Sequence, residues 1–109
     1  MSRREIAERH DRIVQELNEE RVAALTRISR TLQALVDELQ ALGASLAAAD
    51  PVERARQMPR YRELRARALQ YRWYLEVQRE ALGLRHHRLL DEFYAIPPPD
   101  GLTGKIPDR

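Results

Sequence analysis

The sequence predicts an all-α protein that folds as one long antiparallel helical hairpin with coiled-coil-like packing, and we expect the hairpin to dimerise into a four-helix bundle. Apolar residues recur at spacings of three, four or seven over two long segments, which is the periodicity of an amphipathic helix. The pair Asp50-Pro51 separates the two segments and is a helix-start signal. No segment alternates apolar and polar residues with a period of two, so no strand is predicted.

Length and composition predict a single folded domain. The chain has 109 residues, of which 43% are hydrophobic and 33% charged, too apolar for a disordered chain and too charged for a membrane protein. No apolar run approaches the roughly 20 residues that cross a bilayer, so we expect no membrane contact and a cytoplasmic location. Cysteine is absent, which excludes disulfides, thiolate catalysis and cysteine-based metal sites.

The first helix is predicted over about residues 3–48. Between Leu25 and Leu46 its apolar spacings of three and four alternate without a break, as in three heptads of a coiled coil. The whole stripe contains Ile6, Ile13, Leu17, Ile28, Leu32, Leu35, Leu39, Leu42 and Leu46. A helix this long is stable only when a partner lies along it.

A turn and a short helix are predicted over about residues 49–58. Asp50 is suited to cap a helix that has Pro51 at its first position, and Glu53 completes a pattern similar to a capping box. Pro59 lacks a backbone N–H group, so we expect the helix to kink or restart there.

The second long helix is predicted over about residues 60–95. Three consecutive prolines then end it. The hairpin domain would therefore cover residues 1–95, with an extended proline-rich tail over residues 96–109. A short connection between two helices makes them antiparallel neighbours.

The second helix has two apolar faces on opposite sides. One suits packing on the first helix and contains Leu64, Ala68, Tyr71, Leu75, Leu82, Leu89 and Phe93. The other, which we call the Trp73 face, contains Ala66, Leu69, Trp73, Val77 and Leu84. A two-helix monomer would leave the Trp73 face in water. Because tryptophan with nearby arginine is typical of binding hot spots, we expect this face to form a homodimer interface or to bind another protein.

Charge is unevenly distributed along the chain. Residues 1–50 carry 7 arginines and 9 acids, whereas residues 51–88 carry 10 arginines and 4 acids. On one flank of the second helix, Arg62, Arg65, Arg72 and Arg79 are spaced to reach phosphates together, which makes nucleic-acid binding the main alternative function. The simpler interpretation is that these arginines pair with the acidic first helix, either across the hairpin or across the dimer.

A few possible metal ligands are expected at the open end of the hairpin. His87 and Asp91 are one helical turn apart, and His10 and Glu92 would lie nearby. Histidines of this kind more often fill a helix seam, so we predict no metal and no cofactor.

Catalytic groups are few. The hydroxyl nucleophiles Ser2, Ser29 and Ser45 have no histidine near them in sequence except His10, eight residues from Ser2, and no glycine-rich phosphate loop is present. The segment Leu17–Arg21 loosely resembles part of the small all-helical chorismate mutases, but the single lysine, Lys105, lies in the tail and does not match the lysine of that family. We therefore predict neither an enzyme nor a small-molecule substrate.

The tail is a second candidate for docking. Its apolar residues Ile96, Leu102 and Ile106 would serve as anchors in a partner's groove, or would fold back over the second helix. Taken together, these patterns predict a non-catalytic protein–protein interaction module, such as an adaptor, small chaperone or assembly subunit.

Overall fold

The computed structural model describes residues 2–100, which form three helices. Helix α1 spans Arg3–Ala48, α2 spans Pro51–Ala81 and the short α3 spans Arg88–Phe93. Helices α1 and α2 pack antiparallel, which confirms the predicted all-α hairpin. The molecule is elongated, with extents of 74 × 30 × 14 Å. No helix within residues 2–100 has an apolar stretch long enough to cross a membrane.

The connection between α1 and α2 is short and well capped. The Asp50 side chain accepts a hydrogen bond from the backbone N–H of Glu53 at 2.8 Å, as an N-cap residue should. Arg54 donates from Nε to the Leu46 carbonyl at 3.0 Å and from Nη2 to the Ala49 carbonyl at 3.1 Å. Because the last carbonyls of α1 have no partner within that helix, Arg54 of α2 caps α1.

The hydrophobic core lies between α1 and α2. Leu32 and Leu39 of α1 are fully buried, as are Tyr61 and Ala68 of α2. Each large apolar side chain buried in this way contributes about 1.5–3 kcal/mol relative to exposure. Within residues 2–100 the buried hydrophobic residues are Leu32, Leu35, Val36, Leu39, Leu46, Tyr61, Leu64, Ala68, Leu75 and Leu90.

The predicted restart of the helix at Pro59 is wrong, because α2 is continuous from Pro51 to Ala81. A proline at this position removes one backbone hydrogen bond, the one to the carbonyl of Ala55. Both Pro59 and Ala55 are exposed, so the carbonyl lies on the side of α2 that water reaches. The lost bond is therefore tolerated in the middle of the helix.

The predicted extent of the second helix, about 60–95, is also wrong, because α2 ends at Ala81. Gly83 has a φ of +88°, a conformation that L side chains rarely adopt. Its N–H donates to the carbonyl of Glu80, and the N–H of Leu84 donates to the carbonyl of Arg79, both at 2.9 Å. This pair of bonds is a Schellman motif, which ends the helix and turns the chain.

After this turn the chain runs back along α2. Residues 84–98, which we call the returning segment, include α3 and pass Arg79 first and Tyr61 last. Leu90 of this segment is 4% exposed and belongs to the core, while Leu89 and Phe93 are exposed, contrary to the predicted stripe. The stripe was predicted by extending the periodicity of α2 through residues 84–95. Because the chain leaves the helix at Gly83, that periodicity does not apply to Leu89 and Phe93.

Helix α1 extends well beyond the end of α2. Arg21 Nη1 donates to the carbonyl of Ala81, the last residue of α2, at 3.3 Å. Residues 3–20, which we call the projecting segment, lie beyond this level and are all exposed. At roughly 1.5 Å per residue the projecting segment is about 27 Å long. The hairpin therefore has one paired end and one single-helix end.

Candidate protein-binding surfaces

The Trp73 face lies in water in this structure. Trp73 is 59% exposed, and Leu69 and Val77 on either side of it are also exposed. Ala66 continues the same stripe toward the middle of α2 and is exposed as well. Leu84 is exposed but lies beyond the end of α2, so helical periodicity does not place it on this stripe.

Trp73 is supported from the core by a row of aromatic rings. The Tyr71 and Tyr74 rings meet edge to face with centroids 5.4 Å apart, and the Tyr74 and Trp73 rings are 5.6 Å apart. Tyr71 in turn packs against the buried core. Contacts of this geometry stabilise aromatic pairs by about 0.5–1.5 kcal/mol. The indole is therefore presented by a rigid surface although most of it is exposed.

The returning segment does not cover the Trp73 face. It lies on the neighbouring flank of α2, where Tyr61 donates from its hydroxyl to the Pro98 carbonyl at 2.8 Å. Ile96, predicted as a docking anchor, is half-buried and packs against the core. The other two predicted anchors, Leu102 and Ile106, lie outside the described residues.

The arginine flank holds the returning segment in place. Arg65 Nε donates to the Pro97 carbonyl at 2.8 Å, Arg79 Nη2 donates to the His86 carbonyl at 2.8 Å, and Arg72 forms an ion pair with Asp91. Arg62, the fourth predicted contact for nucleic acid, is exposed. Three of the four guanidinium groups are thus engaged within the chain.

Pairing of this flank with the acidic first helix across the hairpin, one part of our simpler interpretation, is not what the structure shows. Within residues 2–100 the one side-chain ion pair that joins α1 and α2 is Arg60–Glu38, at 2.9 Å. Most acidic residues of α1 lie in or next to the projecting segment, beyond the end of α2. Two arginines of this flank instead donate to carbonyl groups of the returning segment, and a third pairs with its Asp91.

Tyr61 connects the core to the returning segment. Its side chain is buried between the helices while its hydroxyl reaches the Pro98 carbonyl. Burial raises the pKa of Tyr61 above its ordinary value of 10.0, and the charge of Asp100 acts in the same direction while that of Arg65 opposes it. The tyrosine is therefore a neutral hydrogen-bond donor over the whole physiological range.

Of the possible metal ligands, His87 and Asp91 line one groove, but His10 lies far from them. His87 Nε2 lies 2.9 Å from a carboxylate oxygen of Glu80, and its Nδ1 faces Arg79. His10 is in the projecting segment, several turns beyond the level at which α2 ends. Across residues 2–100 there is no group of three metal-ligating side chains that could hold an ion.

The projecting segment is a second exposed apolar surface, which we did not predict. Ile6, Ile13 and Leu17 had been assigned to the stripe that packs on the second helix, yet Ile6 is 55% and Ile13 57% exposed. Val14 beside them is exposed too. The sequence signal for this surface was Gly83, because a helix that stops there is too short to cover the start of α1.

Both surfaces have a composition that suits association with another protein. They consist of exposed apolar side chains along the helices α1 and α2. No protein-family model, curated protein or solved structure matches this chain.

Proposed function

We propose that this chain is a non-catalytic protein–protein interaction module, of the adaptor, small-chaperone or assembly-subunit kind, which binds a helical protein through its Trp73 face. The observation that carries the proposal is that Trp73 remains 59% exposed although the returning segment already packs on the adjacent flank of α2. The chain's own described residues cover the core and leave this stripe open. An apolar stripe centred on a tryptophan is the usual composition of a binding hot spot.

The shape and charge of the face indicate the kind of partner. The stripe is straight, follows a helix, and has Arg62 toward one end and Glu80 toward the other. It suits an amphipathic helix whose apolar residues repeat every three or four positions. A second copy of this chain is one such helix, and its docking here would form the predicted four-helix bundle.

Nucleic-acid binding has less support than protein binding. It depended on four arginines acting together, and Arg65, Arg72 and Arg79 donate to the returning segment. Contact with phosphates would require these bonds to break or to be shared. A salt-dependent retention assay with a mixed-sequence probe tests this alternative directly.

The test of the proposed function is photo-crosslinking in a lysate of the source cells. A photoreactive amino acid replaces Leu69, on the Trp73 face, or Gln40, which is exposed on α1. We expect a discrete crosslinked product from position 69 but not from position 40. Trp73→Glu should abolish that product, because a charge replaces the centre of the apolar stripe.

The matched control is Gln40→Glu, which introduces the same side chain at an exposed position of α1. It should leave the position 69 product unchanged and, like Trp73→Glu, should preserve the far-ultraviolet circular dichroism spectrum. A product whose mass is twice that of the chain would identify a second copy as the occupant. Equal crosslinking from both positions, or a product insensitive to Trp73→Glu, contradicts the proposal.

A further inference from the structure

The projecting segment carries a heptad seam of its own. Starting from the first residue of α1, positions spaced three and four apart fall in a single line along this helix. These seam positions are Arg3, Ile6, His10, Ile13, Leu17 and Glu20. The seam is basic at one end, acidic at the other and mainly apolar between them. All six side chains are exposed in the monomer.

We propose that this seam binds the same segment of a second copy of the chain in antiparallel orientation, so that two hairpins join at their single-helix ends. An isolated helical segment of this length is marginal in water unless an apolar face is covered. The inference concerns a different surface from the Trp73 face and does not depend on it.

The antiparallel register is set by the seam residues. When Ile6 lies opposite Leu17 of the second copy, His10 lies opposite Ile13. Because the pair has two-fold symmetry, each of these contacts occurs twice. The same register places Arg3 opposite Glu20 at each end of the contact. The layers between them, which are mainly apolar, are therefore closed at both ends by pairs of opposite charge.

The residues that flank the seam fit the same register. In an antiparallel pair, the residues along one edge of the seam face the residues along the same edge of the second copy. One flank would place Arg9 near Glu16 of the second copy, a further pair of opposite charge. The other would place Ala7 near Val14, so that small apolar side chains meet. Both flanks, the two Ile6–Leu17 layers and the Arg3–Glu20 pairs are complementary in this register.

The opposite orientation lacks this complementarity. In a parallel pair Arg3 would face Arg3 and Glu20 would face Glu20, which places like charges at both ends of the seam. Because the order of charges along the segment is complementary to itself in the antiparallel orientation, a second copy of this chain fits the seam better than an unrelated helix does.

The contact is compatible with the hairpin. From Leu17 the seam would continue to Ala24, whereas the seam that packs on α2 begins at Leu25. The two seams are thus offset by one residue, which is about 100° around the helix. The second copy would therefore lie on a different side of α1 from α2. A groove at the junction, lined by Leu17, Arg21 and Gln78, is where the N-terminal end of the second copy would arrive.

The experiment is the solution mass of the full chain by light scattering between about 1 and 200 μM. The contact is at the small end of specific interfaces, so we expect a reversible dimer with a dissociation constant on the order of 10 μM. Two charge variants test the register, namely Arg3→Glu with Arg9→Glu, and Glu16→Arg with Glu20→Arg. Each should raise the dissociation constant about tenfold or more, because like charges then meet.

The rescue variant combines all four substitutions and should restore the dissociation constant to within about threefold of the wild type, since every opposite-charge pair is re-formed in reverse. The matched control is Glu5→Arg with Glu8→Arg, which changes the net charge as much as the Glu16 and Glu20 pair but lies off the seam. The control should leave the dissociation constant nearly unchanged. None of these positions contacts the core, so the hairpin itself should remain folded.

The antiparallel orientation of the two segments is tested by disulfide trapping. Because the chain has no cysteine, only the introduced cysteines can form a disulfide. A mixture of Ile6→Cys and Leu17→Cys chains should form a mixed disulfide, while neither variant alone should crosslink efficiently. A wild-type monomer at 200 μM, the same effect from the control as from the seam variants, failure of the rescue, or efficient crosslinking of Ile6→Cys with itself would each overturn the proposal. Trp73→Glu should not change this dimer, so the two proposals fail separately.

Discussion

The two halves of α1 have the same periodicity and opposite surroundings. In the paired half Leu32 and Leu39 are 0% exposed, whereas Ile6 and Ile13 in the projecting segment are more than half exposed. Both halves are amphipathic, and both were predicted as one stripe. The difference arises from the length of α2, which ends opposite Arg21. Periodicity therefore predicts a helix and a seam, but not whether the same chain fills that seam.

The largest expected effect is a contrast between one truncation in each half. Leu39→Ala should lower the free energy of unfolding by about 2–5 kcal/mol, because it leaves a cavity in the core. Ile13→Ala should change it by less than about 0.5 kcal/mol in dilute solution, where the segment is monomeric. Urea denaturation followed by circular dichroism measures both. Similar costs for the two variants would show that the halves do not differ in this way.

A second effect tests whether the returning segment belongs to the stability of the paired half. Tyr61→Phe removes the hydrogen bond from the hydroxyl to the Pro98 carbonyl and should cost about 1 kcal/mol. Amide hydrogen exchange in residues 88–98 should become faster, while exchange in the projecting segment should not change. Tyr74→Phe is the matched control on the same helix. Faster exchange throughout α1 would argue against a local role.

A smaller effect is expected from the arginine flank. Arg72→Gln breaks the ion pair with Asp91 and should lower the free energy of unfolding by about 0.5 kcal/mol, since Asp91 is well exposed and the pair is screened. Arg62→Gln, on the exposed side of the same helix, should have no measurable effect. Urea denaturation at low and high salt distinguishes them, because the loss at Arg72 should shrink as salt is added. Equal values for the two variants would contradict a structural role for Arg72.

The smallest effect is a dependence on alkaline pH. Burial holds the pKa of Tyr61 above 10.0, so the folded chain keeps this proton more tightly than the unfolded chain does. The resulting stability is fully present below about pH 10 and is lost as the pH rises through the raised pKa. The free energy of unfolding should therefore fall more steeply between about pH 9 and 11 in the wild type than in Tyr61→Phe. Identical slopes would rule this contribution out.

The parts of the fold that depend on local signals were predictable. The first helix was predicted over residues 3–48 and is observed as Arg3–Ala48, and the cap at Asp50 begins α2 as expected. These features depend on a few neighbouring residues. The restart at Pro59 was wrong because the cost of a proline depends on whether water reaches the carbonyl that loses its donor, and burial is not a local property.

The end of α2 was missed although a local signal was present. Gly83 followed by Leu84 fits a Schellman motif, but the apolar residues beyond it continued the helical spacing and outweighed the glycine. The sequence left fold-back of the tail open only as an alternative, because the contacts that hold the returning segment to Arg65 and Tyr61 span sequence separations of 32 and 37 residues. The exposure of Trp73 followed from its predicted position on the helix face opposite α1. The contacts of the arginine flank could not be predicted without knowing that the returning segment packs beside α2.

The uninterrupted course of α1 through both halves has a mechanical consequence. Trp73 lies roughly level with residues 25–29 of α1, since Arg60 pairs with Glu38 and Ala81 with Arg21. If two chains join at their projecting segments as proposed, continuous helix would separate their two Trp73 faces by roughly 50 Å. Such a pair would act as a stiff spacer with two identical ends. It would favour targets that repeat at that distance, because the second contact then forms at high effective concentration.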